Sequence, residues 1–357
     1  MQKGYFGTFG GRYVPEAVMS QLFALECEWE LIQSDQCFWD AFSHYRADYM
    51  GGESPLWLAD NLSEEAGGKI YLKRGDGNET AMMGPALGQI LMWKRIGYHK
   101  IVAETGRGCW GEAVARAAAV MNMECILYTS CPEQQEKVLE RLGARVMAAK
   151  AGVFQEALAY WAAHSQDTAM VMTGDWGPYP YTEAVSAFQK VTGEELKGQL
   201  LRKENHLPKV LAAGVRTENV LAGLYAPFFE EPDVKLYGAE YSPEGEVQDS
   251  RRAGIGGGMK TLGVCDGWQG FRFDRIPGEN EPVLGPELAY QSAQGRISLA
   301  QVSREAAERA EKLAARTEGL TVSGADACGL ALALEQAGNL DGEEYITVFL
   351  NQREVLL

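Results

Sequence analysis

The run Lys100-Ile101-Val102-Ala103-Glu104-Thr105-Gly106-Arg107-Gly108-Cys109-Trp110-Gly111 decides how the chain reads. After Lys100, the residues Ile101, Val102 and Ala103 are apolar without alternation, the pattern of a strand buried on both faces of a parallel sheet. Glu104 follows at once, at the carboxyl end of that strand, where sites in α/β proteins assemble. The glycines behind it let backbone donors line up as an anion site.

Seven further segments repeat the strand pattern: Ile70–Lys73, Glu124–Tyr128, Arg145–Ala148, Ala169–Thr173, Val210–Ala213, Val234–Gly238 and Tyr345–Leu350. Helical patterns lie between them. Pro132 to Leu142 opens on proline and closes on Gly143, fitting start and stop chemistry. Arg304 to Arg316 carries Glu305/Arg309 and Glu308/Lys312 at i,i+4 spacing, a solvated face. Strand–helix alternation of this kind predicts an α/β fold with parallel sheets covered by helices. Gly254 to Gly258 and Asp274 to Gly285 read as long loops, a length that often carries function.

The 357 residues are 46% hydrophobic, enough for one large or two medium cores. A net charge of −16 argues against nucleic acid and requires a local basic pocket for any anionic substrate. No run approaches the roughly 20 apolar residues of a membrane span, and Met1 to Phe6 has no signal-peptide core. Seven scattered cysteines without a Cys-x-x-Cys pair read as reduced, mostly buried thiols of a cytoplasmic protein. Four dispersed histidines leave no metal site to expect.

The opening Gly4-Tyr5-Phe6-Gly7-Thr8-Phe9-Gly10-Gly11-Arg12-Tyr13-Val14-Pro15-Glu16 resembles the N-terminal signature of tryptophan synthase β-chains. Agreement continues in family order through Tyr71-Leu72-Lys73-Arg74, Ala86-Leu87-Gly88-Gln89 and Ala103-Glu104-Thr105-Gly106. It resumes at Gly177-Pro178, Phe188-Gln189, Gly193-Glu194-Glu195, Gly258-Met259-Lys260-Thr261, Gly285-Pro286-Glu287 and Arg316-Thr317-Glu318-Gly319. The resemblance spans nearly the whole chain. It implies the type II pyridoxal-phosphate fold, two three-layer α/β domains with parallel sheets and an active cleft between them. By the same resemblance residues 1–50 with 82–203 form the first domain, which holds a shortened mobile subdomain around 100–190. Residues 51–81 with 204–357 form the second. The resemblance also implies a homodimer.

Three departures converge on the cofactor. Where family members read Asn-His-Thr-Gly-Ala-His-Lys, this chain has Asn78-Glu79-Thr80-Ala81-Met82-Met83-Gly84-Pro85, so the Schiff-base lysine falls at Met83 or Gly84. Neither residue forms an imine. The glycine cradle for phosphate becomes Gly214-Val215-Arg216-Thr217-Glu218-Asn219, where Glu218 would repel a dianion. The serine that meets the ring nitrogen in the family is replaced in Asn351-Gln352-Arg353. The expectation is a chain without pyridoxal phosphate or any other cofactor. Lys73 or Lys260 as an alternative anchor would leave the lost cradle unexplained. The family's closure pair aligns with Val138 and Asn280, and the stretch near Ala151–Phe154 is shortened and lacks the lysine that couples to the α-subunit, which argues against an α-type partner.

By resemblance Glu104 is the general acid/base, and burial in a cleft would raise its pKa toward the working range. The plainer alternative is a glutamate that caps the next helix. Thr105, Gly106, Arg107, Gly108, Cys109, Trp110 and Gly111 occupy the family's substrate-carboxylate loop. Arg107 would grip a carboxylate bidentately, or else pair with a surface acid. Cys109 reads as small buried packing rather than a nucleophile. Met82, Met83 and Trp110 put apolar bulk where the cofactor lay, fitting either a reshaped apolar pocket or a collapsed one. Trp176 and Tyr179 are further candidates for lining, although isolated aromatics more often belong to a core. Arg216, beside Glu218, and Asn351 complete the candidate lining.

Three functions compete on these residues. The favoured one is a cofactor-independent enzyme of lyase, isomerase or cyclase type acting on a small aromatic or unsaturated, anionic substrate in specialised biosynthesis. The second is an inactive β-like subunit that binds or regulates a partner enzyme. The third is a small-molecule binding protein. None of the three is a working tryptophan synthase.

Overall fold

A computed structural model describes residues 2–75, 80–105, 110–130, 133–150, 152–174, 176–215, 221–242, 260–265, 267–273, 284–322 and 324–350. The chain is a two-domain α/β fold built on three sheets. The first runs Arg145–Ala148, Glu124–Thr129, Lys100–Thr105, Thr168–Val171 in spatial order, every pair parallel. Ile101, Val102 and Ala103 are all fully buried. Successive strand residues point to opposite faces, so this sheet is covered on both sides, as the unalternating pattern requires.

The second sheet runs Ile297–Val302, Lys235–Tyr241, Val210–Gly214, Tyr345–Leu350, Lys69–Arg74, Leu56–Leu58. Only its last pair is antiparallel. A third, antiparallel sheet joins a two-strand ribbon, Tyr5–Phe6 and Phe9–Gly10, to the hairpin of Trp268–Phe273 and Lys260–Cys265. All eight expected strands are present, five of them one to three residues longer at the carboxyl end and Thr168–Val171 two residues shorter there. The two edge strands Leu56–Leu58 and Ile297–Val302 and the whole third sheet were not expected.

Helix Thr80–Ile96 crosses helix Tyr181–Glu204 at Gly88, where a Cβ would lie 2.4 Å from the Phe188 ring. Glycine there allows an approach that any other residue forbids. Gln89, one residue on, is buried and locks the same helix to the end of the Thr168–Val171 strand. Its amide nitrogen donates to Met172 O and its amide oxygen accepts from Met172 N, both at 2.9 Å. A glutamine side chain thus copies a ladder step of the sheet, satisfying backbone groups that would be costly to bury unpaired.

Of the four described thiols whose exposure is defined, Cys125 and Cys328 are buried but Cys27 and Cys37 are exposed on the first two helices. The expectation of mostly buried thiols therefore holds for half of them. No helix among the described residues is long and apolar enough to cross a membrane.

Candidate functional site

Glu104 lies within a strand, not after it. The Lys100–Thr105 strand keeps its register with the neighbouring strand two residues past Ala103, pairing Glu104 with Tyr128 and Thr105 with Thr129. It is an interior strand, flanked on the other side by Thr168–Val171. Glu104 is 8% exposed, a carboxylate close to full burial at the carboxyl edge of a sheet. Ionised carboxylates are rarely so placed without a task or a partner.

The helix-capping role falls to Thr105 instead. Its hydroxyl oxygen accepts from Gly111 N at 3.0 Å, satisfying one of the free donors at the start of helix Trp110–Val120. That bond ties the two ends of the segment spanning positions 106 to 109. Gly106, Arg107, Gly108 and Cys109 themselves lie outside the described residues, as do Arg216, Glu218 and Asn351.

Trp110 opens the helix and is fully buried, with its indole Nε1 unpartnered among the described residues. Met83 is fully buried and Met82 nearly so. All three belong to one hydrophobic cluster with Phe188 and Met172. The structure thus brings Met82, Met83 and Trp110 into a common core.

Trp176 and Tyr179 go elsewhere. Trp176 packs on Trp268 of the third sheet, ring centroids 6.1 Å apart. Tyr179 is held by the N-terminal segment: Arg12 Nε donates to its carbonyl at 3.1 Å, the Arg12 guanidinium lies 5.4 Å from its ring, and its side chain crowds Gly4. These two aromatics anchor the ribbon of residues 5–10 to the segment that follows the Thr168–Val171 strand.

A polar cluster unsought in the sequence surrounds Lys73. This lysine is fully buried, and its ammonium donates to Ser54 O at 2.7 Å, to Gln199 Oε1 at 2.8 Å and to the Glu195 carboxylate. Burial pushes its pKa down while Glu195 works against that shift. Arg46, in a π-helical turn over Tyr45–Tyr49, donates to Glu195 Oε2 at 2.7 Å. The available signal was a lysine inside an otherwise apolar strand, since such a group needs a buried counter-charge.

The chain matches the model of the family described as pyridoxal-phosphate dependent enzyme over residues 48–351. Among solved structures it resembles a T.th. threonine deaminase, with TM-score 0.64 and 20% identity over 85% of this chain and 93% of that one. It also resembles a pyridoxal 5'-phosphate-dependent aspartate racemase, with TM-score 0.62 and 17% identity over 88% and 94%.

These findings correct the expectation that the chain takes no cofactor, because the family points to pyridoxal phosphate. Where the resemblance to tryptophan synthase β-chains would put the anchoring lysine, the described residues carry no amine. The head of helix Thr80–Ile96 offers the buried thioethers of Met82 and Met83 instead of an amine. Lys73 has all three ammonium donors engaged. Its three-layer architecture and a family match covering most of its length place this chain in the pyridoxal-phosphate dependent enzyme family.

Proposed function

We propose that the chain carries out general acid–base chemistry on a small aromatic or unsaturated carboxylic acid, with Glu104 moving the proton. The reaction class is cyclisation, isomerisation, addition or elimination. The observation that supports this reading is the burial of Glu104 at the carboxyl edge of an interior strand, next to a helix start whose capping is already met by Thr105. Arg107 and the backbone donors of the loop would hold the substrate carboxylate. Met82, Met83 and Trp110 contribute apolar packing to the same hydrophobic cluster.

The test is isotope exchange. The protein, with and without added pyridoxal phosphate, is incubated in deuterium oxide with a panel of indolyl, phenyl and enoic carboxylic acids. Mass spectrometry then follows deuterium entry at carbon. At least one acid should exchange, and Glu104→Gln should slow that exchange by about 10²–10⁴-fold with unchanged melting. Equal exchange by the Gln variant removes Glu104 from the chemistry.

A further inference from the structure

We propose that Glu195 is a positioning residue, which pins helix Tyr181–Glu204 between the first and second sheets and so fixes how their carboxyl edges stand to one another. The first half of this helix belongs to the layer on the first sheet. Phe188 packs over Gly88 of helix Thr80–Ile96, and Gln89 of that helix bonds to Met172 at the end of the Thr168–Val171 strand. The second half runs antiparallel to strand Lys69–Arg74 of the second sheet. Glu195 and Gln199 meet Lys73 there, and Glu204 meets Tyr71 and Lys69.

Much of the contact between this half and the second sheet is apolar, with Leu196 and Leu200 in one cluster with Tyr71, Tyr345 and Phe349. Apolar burial is non-directional, so it holds layers together without fixing one angle between them. Directional bonds gather on Glu195. Its Oε2 accepts from Arg46 at 2.7 Å, while its Oε1 accepts from Ser54 N at 2.8 Å, from Ser54 Oγ at 3.1 Å and from the Lys73 ammonium.

These donors come from opposite sides. Arg46 lies in the turn that continues helix Gln36–His44, whose Phe38 and Phe42 pack on Phe188 and whose cap Asp35 accepts from Arg95 of helix Thr80–Ile96 at 2.7 Å. Ser54 lies against the second sheet, since Arg74 N donates to Pro55 O at 2.8 Å. One carboxylate, 5% exposed, is thus gripped from both. A buried ion pair adds little stability over packed apolar groups, and its best-attested use is to select one arrangement. Lys73 is next to last in its strand, so the grip sits at the carboxyl end of the second sheet, as Glu104 does in the first. Ligands of such sheets bind on that side. The pin stands whether or not Glu104 moves a proton, and its test uses no substrate.

The experiment measures the distance between nitroxide labels by pulsed electron resonance. The labels are carried on ketone-bearing residues placed at the exposed positions Ser34 and Glu308, one beside each sheet. Unlabelled protein in excess silences contacts between copies. The parent should give one narrow distance. Lys73→Met with Glu195→Gln removes both charges at nearly constant side-chain length and leaves the Glu204 end attached. This pair should melt near the parent yet show a shifted or broadened distance, because the helix then pivots about Glu204. Arg46→Gln, at a partly exposed side chain, releases the grip from the first side alone and should shift the distance too; it decides the matter if the double variant does not fold. A parental distance in Arg46→Gln, or in a double variant that melts as the parent does, overturns the pin. Lowered melting with an unchanged distance marks an ordinary structural ion pair and overturns it as well.

Discussion

The hydroxyl of Thr105 and the backbone nitrogen of Gly111 lie 3.0 Å apart, joining the end of a strand to the start of the next helix. The same closeness leaves no room for a side chain. A Cβ at position 111 would stand 2.5 Å from Thr105 Oγ1 and 2.8 Å from its Cβ and Cγ2. Thr105 is fully buried and cannot swing away into solvent. Alanine would add up to about 1 kcal/mol of helix preference, while overpacking costs about 1–3 kcal/mol. Gly111→Ala should therefore lose stability in urea unfolding. The loss should shrink only in part when Thr105→Ala is added, since the alanine keeps a Cβ 2.8 Å from the new one. An unchanged midpoint in the single variant would show that the turn yields.

Gln89→Leu should cost about 2–4 kcal/mol, because it strands both backbone groups of Met172 in a buried place. Gln89→Glu keeps the acceptor for Met172 N and, when protonated, offers an O–H donor to Met172 O in less matched geometry. In chemical denaturation it should fall between the two, provided the pH is low enough to protonate the glutamate. Hydrogen exchange at Met172 N should accelerate in the leucine variant and not in the glutamate one.

Pyridoxal phosphate offered to the folded protein should leave Lys73 untouched. All three of its ammonium donors are engaged, and no part of it reaches solvent. Borohydride trapping followed by peptide mapping should find the Lys73 peptide unmodified until denaturant is added. A pyridoxyl group on Lys73 in the native protein would show that the buried cluster opens to admit the cofactor.

Burial pushes the Glu287 carboxyl up from its ordinary 4.5, and neighbouring Glu183, itself pushed up by burial, adds to the shift. The Ser186 hydroxyl, donating at 2.6 Å, and Lys190 oppose it. A carboxyl whose pKa is higher folded than unfolded binds more protons in the folded state between those two values. Stability therefore falls as pH rises from about 4.5 through the raised value. Glu287→Gln, which keeps an acceptor for Ser186, should be more stable than the parent at pH 8 and lose that advantage at pH 4. Melting curves across that range check the sign.

Most of the strands legible in the sequence are buried on both faces, where burial writes an uninterrupted apolar run, whereas Arg145–Ala148 has no buried residue. Ile297–Val302 was hidden because only its two ends are buried, with exposed and half-buried residues between them. Lys260–Cys265 misleads in the opposite sense, with Leu262 and Val264 turned outward. At the site, Glu104 was legible from its place after a strand core. The capping partner was not, because a threonine that reaches six residues ahead follows no local capping spacing. Tyr179 and Trp176 looked like lining because they flank Gly177-Pro178, yet their neighbours lie at positions 3 to 12 and at 268. Contacts over such separations leave no mark in a single sequence.

The ribbon of residues 5–10 finds its partner at the far end of the chain. Gly10 pairs with Gln269, Gln269 Nε2 donates to Thr8 O at 2.8 Å, and Phe9 meets Phe271 at 4.8 Å between ring centroids. On a ribosome adding about 5–20 residues per second, those first residues wait roughly 13–50 s for their partner to be made. Through that interval Phe9 has no aromatic to rest on, and the ribbon's outer edge is open to other chains. A fusion that delays or tethers the first ten residues would show its effect in the yield of folded chain during synthesis, while the finished molecule would melt as before.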